Sequence, residues 1–228
     1  MGTRHAFLVA ALIAGATGIA AAQDAATFDP SQLPAIPGKV AQYSLTPRGD
    51  VDGLILTDGT EVHLPPHLGT QLVYAVKPGD AVTVRGLRAR AIPMVQAMSI
   101  SNDATGTTVS DNGPGGPRGP RGAEQPLTAE GRIKAQLHGP NGDLNGALLD
   151  DGTIVRLPPT EAQRMAANLT PGAPLYVQGN GFAGPLGRVI EATSIGPNQG
   201  QLAQIAVPPV PPGPGHRPPP PPPGRAPG

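Results

Sequence analysis

Apolar positions in this chain come in short alternating runs, separated by gaps of glycine, proline and aspartate. Residues 39–45 and 51–57 read as two strands. Residues 60–64 read as a third, whose alternation sets Val62 and Leu64 on one face and Glu61 and His63 on the other. Asp58-Gly59 between the second and third is a hairpin signal, because glycine accepts the positive φ that tight turns demand. At Pro65-Pro66 the period changes. Proline lacks the amide a ladder needs, so the strand ends there, and Pro66 suits the first turn of a helix. Leu68, Leu72 and Val76 then recur every four residues, one apolar stripe on a short helix that Pro78-Gly79 stops. Alternation returns at 81–86, with Val82 and Val84 inward, and 93–100 completes a set of five strands.

The pattern is then written a second time. At a constant offset of 93 positions, residues 38–86 align with 131–179, with 17 identities over 49 positions. A repeat of this length reads as a duplicated domain. Asp151-Gly152 repeats the hairpin turn, and Pro159 opens a helix carrying Ala162, Met165, Ala166 and Leu169 inward. The last strands align only after a two-residue shift, so the length change falls in the loop between strands four and five, where insertion is tolerated. The chain therefore divides into an expected leader at 1–22, an extended segment at 23–37, repeat one at 38–100, a Gly/Pro-rich linker at 101–126, repeat two at 127–200 and a disordered Pro-rich tail at 201–228.

Three strands, a short helix and two more strands within about 65 residues resemble the OB-fold, a five-stranded Greek-key barrel. The wording fits as well: Gly38-Lys39-Val40 and Gly131-Arg132-Ile133 open the repeats, and each has an Asp-Gly-Thr hairpin. A Pro-Gly-x-x-Val/Leu-x-Val-x-Gly run spans 78–86 and 171–179. The resemblance, to tandem OB-fold domains of exported bacterial proteins, implies a mainly β chain of two small barrels. It also implies ligand binding across strands two and three, helped by the loops joining strands one to two and four to five. A pair of SH3-like barrels acting as an adaptor is the structural alternative.

Composition narrows the function. Arg4 and His5, a short apolar run at 6–14 and Ala20-Ala21-Ala22 form an expected signal peptide with cleavage after Ala22, placing the mature protein in the periplasm or outside the cell. This run is too short to span a bilayer, and no run elsewhere reaches the roughly 18 apolar residues of a spanning helix. The chain has no cysteine, which removes disulfides, thiolate metal sites and cysteine nucleophiles. Sixteen basic residues balance 16 acidic ones, so the basic footprint of a nucleic-acid binder is missing. Strands two and three of both repeats also lack the aromatics on which bases stack. Oligonucleotide or polyanion binding is therefore the alternative reading, resting on the resemblance alone.

Few residues invite chemistry. Arg85, Arg88 and Arg90 cluster around the loop between strands four and five of repeat one, where they suit an anionic glycan, phosphate or acidic partner; the bland reading is a solvated loop. His63 and His67 are four apart, but Pro65-Pro66 separates a strand residue from a helix residue, so the shared helical face of a metal pair does not apply. Asp58 and Asp151 each precede a glycine (Gly59 and Gly152), where aspartate stabilises a turn through its own backbone, and Pro66 and Pro159 are structural in the same sense. No nucleophile elbow or phosphate loop accompanies them, so no enzyme, cofactor or metal site is expected. Six consecutive prolines from Pro218 to Pro223 favour polyproline II, which can dock in an aromatic groove or act as a spacer. The reading is a non-catalytic, exported binding module whose partner is an envelope protein, a glycan or a small ligand.

Overall fold

The computed structural model of the chain describes residues 30–111 and 124–206. The expected leader, residues 23–29 of the expected extended segment, the Gly/Pro-rich run at 113–122 and the proline run from Pro218 lie outside the described residues.

Repeat one folds as β1 (Ala35–Leu45), β2 (Val51–Leu56), β3 (Glu61–His63), α1 (Gly69–Ala75), β4 (Ala81–Arg88) and β5 (Met94–Asn102). β1 pairs with β2, β2 with β3, and β4 with both β1 and β5, all antiparallel. A parallel β3–β5 pairing closes the ring. That closure, with the helix between β3 and β4, is the OB-fold arrangement and separates the barrel from the SH3-like alternative. β1 can serve two neighbours because its register breaks between Val40 and Gln42 and again between Ser44 and Leu45. Such bulges bend a strand around a small barrel.

The local chemistry follows the turn signals. Gly59 has φ +85° and sits in the β2–β3 hairpin, and Asp58 Oδ1 accepts the Thr60 amide at 2.9 Å. Pro66 begins a single 3₁₀ turn, Pro66–Leu68, that leads into α1. Leu68, Leu72 and Val76 are all buried, which plugs the barrel at one end. Fully burying such a side chain stabilises by about 1.5–3 kcal/mol. The Tyr43 hydroxyl donates to Val76 O at 2.7 Å and ties β1 to the end of this helix.

Repeat two keeps the strand order, but its 3₁₀ turn, Ala166–Leu169, follows the helix instead of leading into it, so Met165, Ala166 and Leu169 lie past the helix end. Between the repeats β6, Thr108–Ser110, pairs with β5. Then come β7 (Gln125–His138), β8 (Leu144–Leu149), β9 (Ile154–Arg156), α2 (Pro159–Arg164), β10 (Pro174–Gly184) and β11 (Gly187–Gly196). A parallel β9–β11 pairing closes this ring too. Asp151 Oδ1 accepts the Thr153 amide at 2.8 Å in its hairpin. A last strand, β12 (Ala203–Gln204), pairs with β11. The flanks thus contribute more than the pattern suggested: β6 lies within the expected linker and β12 within the expected tail.

In each barrel the glycine where the second strand meets the third is fixed by close approach rather than by φ. A Cβ on Gly53 would stand 1.9 Å from Val62 O, and one on Gly146 2.0 Å from Val155 O. The second and third strands meet here with no room for a side chain.

Candidate functional site

The faces that carry ligands in the OB-fold are turned toward each other. In barrel one, Leu54 and Val62 are paired and point into the core, so the neighbouring Ile55–Glu61 and Gly53–His63 pairs point outward. In barrel two, Ala147 pairs with Val155 inside, and Leu148–Ile154 and Gly146–Arg156 point outward. Outward does not mean exposed here. Ile55, Leu148, Ile154 and Val189 are all buried and form one apolar cluster with the core of barrel one. The outer face of β2–β3–β5 is therefore packed on the outer face of β8–β9–β11. Covering these aliphatic side chains stabilises the pair by more than any one polar contact, since a typical hydrogen bond contributes only about 0.5–1.5 kcal/mol net.

Two polar clusters flank this apolar seam. Glu61 is 4% exposed, and its Oε1 accepts from His138 Nδ1 at 2.7 Å while Oε2 accepts the His138 amide at 2.9 Å. Burial alone raises the Glu61 pKa, but the contacts to His138 and His63 outweigh it, and the carboxyl is held below its ordinary value. An ionised carboxylate can only accept, so His138 carries its proton on Nδ1. His63 Nε2 lies 3.8 Å from Glu61 Oε2 and makes no hydrogen bond. On the other flank Arg156 reaches back into barrel one. Its guanidinium donates to Leu45 O at 3.2 Å and Ser44 Oγ at 2.9 Å, and to Asn145 Oδ1 of its own barrel at 3.0 Å. Asp52 Oδ2 stands 3.8 Å away and supplies the counter-charge.

The seam has approximate two-fold symmetry. Gly142 occupies in repeat two the place of Gly49 in repeat one. Ile92 of barrel one lies against the Gly142 turn, and Phe182 of barrel two lies against the Gly49 turn. Gln96 Nε2 donates to Pro140 O across the seam, and its counterpart Glu191 lines a groove with the counterpart Pro47. That groove, of about 480 Å³, also holds Arg48, Asp50 and Glu124. A second, of about 480 Å³, runs along Gln42, Asp151 and Arg188. Both are open and mix charges of both signs.

The residues singled out from the sequence do not converge. His63 is in the seam, whereas His67 lies beside Asp111 with Nε2 3.3 Å from Oδ1. Among the described residues no group of three histidine, aspartate or glutamate side chains is placed to hold a metal ion. Arg85 Nη1 donates to Ser31 O at 3.1 Å and Leu33 O at 3.0 Å, holding the segment before β1. Arg88 and Arg90 are exposed at the β4–β5 rim. Glu61, His138, Arg156 and Ser44 were not singled out from the sequence. One signal could have found them: β2 reads Leu54-Ile55-Leu56 without alternation, as a strand buried on both faces does. Comparison with protein-family models, with curated proteins and with solved structures returns no match.

Proposed function

We propose that this chain is a non-catalytic binding module of the cell envelope, exported by its N-terminal leader, in which two OB-fold-like barrels act as one body. The observation that carries this reading is the seam. Each barrel covers the other's strand-two and strand-three face, so the ligand surface usual for the fold is spent on internal association. Recognition then falls to what the pair leaves open: the seam-edge grooves, the β4–β5 rim and the segments that flank the barrels. The partner is an envelope component, in the class of a protein, a glycan or a small ligand.

The covered face also speaks against the oligonucleotide alternative, because Glu61 and Ile55 stand where basic and aromatic side chains would need to meet a strand of nucleic acid. Catalysis finds no support either: the best-built polar cluster, Glu61 with His138, is shut away from any substrate.

Two measurements test the reading. Fluorescence anisotropy with single-stranded DNA and RNA at low salt, where phosphate contacts are strongest, is expected to show no binding at micromolar protein. Affinity capture from envelope extract is expected to retain a defined component. Tight low-salt oligonucleotide binding, or capture of nothing, would overturn it.

A further inference from the structure

The charge of the chain balances overall, but not locally. The strands β1, β4 and β5 and the loop joining the last two contain Lys39, Arg85, Arg88 and Arg90 and not one aspartate or glutamate. These strands are neighbours, β4 lying between β1 and β5, so the sequence bias carries over to the rim; the carboxylate bonded to this face, Asp103, accepts from Thr83 Oγ1 at 2.8 Å toward the other end of β4. Among the described residues no ion pair involves Lys39, Arg88 or Arg90. In β4, Val82 and Val84 are buried in the core and Thr83, Arg85 and Leu87 alternate outward. Leu87 is 64% exposed, one of two large apolar side chains so exposed among the described residues. It stands between Arg85 and Arg88. Repeat two places Gln178, Asn180, Gly181 and Ala183 at the positions of Arg85, Leu87, Arg88 and Arg90, so neither the charge nor the leucine belongs to the duplicated scaffold.

We propose that the β4–β5 rim of barrel one docks on an anionic lipid surface, with Arg88 and Arg90 meeting headgroup phosphates and Leu87 entering the interfacial layer. This rests on the binding-module reading and goes beyond it, adding the lipid surface to the partner classes named there. The chemistry separates a bilayer from other anions. A basic cluster near an anionic leaflet is attracted through each cation, and an apolar side chain beside it gains by leaving water for the acyl boundary. A soluble polyanion offers Leu87 nothing. Nucleic acid would in addition want an aromatic platform, and the only aromatic on β1, β4 or β5 is Tyr43, whose side chain is buried with its hydroxyl on Val76 O.

The test is sedimentation of the full chain with phosphatidylcholine vesicles, with and without phosphatidylglycerol. Binding is expected only to the anionic vesicles and is expected to fall as salt rises. The double variant Arg88→Ala/Arg90→Ala should lose about tenfold or more in vesicle affinity, and Leu87→Ser should weaken it separately. All three positions are exposed, so unchanged thermal melting serves as the check on folding. Absence of binding to anionic vesicles overturns the proposal, as does binding that the arginine variant retains. Binding that needs the arginines but ignores Leu87→Ser and is fully displaced by polyphosphate assigns the rim to a soluble polyanion instead. If vesicles fail while envelope capture succeeds with the same Arg88→Ala/Arg90→Ala variant, the module reading stands and only the lipid assignment falls.

Discussion

Glu61 and His138 lie 77 positions apart in sequence, yet the carboxylate holds both the ring and the amide of the histidine, at 2.7 and 2.9 Å. The counterparts of these residues across the approximate two-fold are Ile154 and Leu45, both buried in the apolar cluster of the seam. One half of the interface is polar where the other is greasy. Removing one partner therefore differs sharply from replacing both. His138→Leu alone strands a buried carboxylate and should cost about 3–5 kcal/mol in urea unfolding. Glu61→Ile with His138→Leu copies the other half of the seam and should recover most of that loss, since apolar replacement of a buried pair is often neutral or stabilising.

Acid should loosen the same contact. The folded Glu61 carboxyl sits below its ordinary value, so the folded state binds that proton less readily than the unfolded chain. Its stabilisation is complete above the unfolded glutamate value of about 4.3 and is lost as pH falls through the lower, folded value. Urea midpoints followed downward from neutral pH should show this loss in the native chain. Glu61→Gln should flatten that part of the profile while lowering stability at neutral pH.

Arg156 bonds Ser44 and Leu45 of the opposite barrel and lies near Asp52. Arg156→Ala leaves a buried carbonyl without this donor and a partly buried carboxylate without its counter-charge, and should cost about 2–4 kcal/mol. Arg156→Lys should recover little, because an ammonium cannot present the planar fork that reaches the separate acceptors at once. Thermal melting of the two variants side by side checks both statements.

Two glycines of one hairpin should respond differently to the same methyl group. Gly59→Ala meets open space but a φ of +85°, a conformational cost of about 1–2 kcal/mol. Gly53→Ala drives a Cβ to 1.9 Å from Val62 O. Relief there requires the second and third strands to part, so the loss should be larger than at Gly59 by at least about 1–2 kcal/mol. Chemical unfolding of the pair decides the order.

The barrels were legible because each device acts locally. Asp58-Gly59 turns the chain by its own φ, Pro66 starts a helix by its own ring, and Leu68, Leu72 and Val76 point one way because of helical spacing alone. The seam was not legible for the opposite reason. The alternation in β3 did place Glu61 and His63 outside the barrel, but their surroundings are set by residues from a different repeat. Periodicity reports which face a side chain is on, not what covers that face. Only the unbroken aliphatic run at Leu54-Ile55-Leu56 hinted that a second surface would come down on it. The rim arginines are a middle case: Arg88 and Arg90 stand out in the sequence, whereas the exposure of Leu87 beside them needed the fold.

A barrel that paired with an identical copy of itself would suffer every substitution twice. A glutamate at the place of Glu61 would then appear on both flanks of the seam, each time needing a matching histidine at the place of Leu45. Joining the two barrels in one chain lifts that constraint, because each side of the axis can change without its mirror image. The unequal flanks, Glu61 with His138 on one and Arg156 with Ser44 on the other, are the kind of lock and key that only non-identical halves can form. They also make the seam directional: two copies of barrel one would set Glu61 against Leu45, with no histidine to meet the carboxylate.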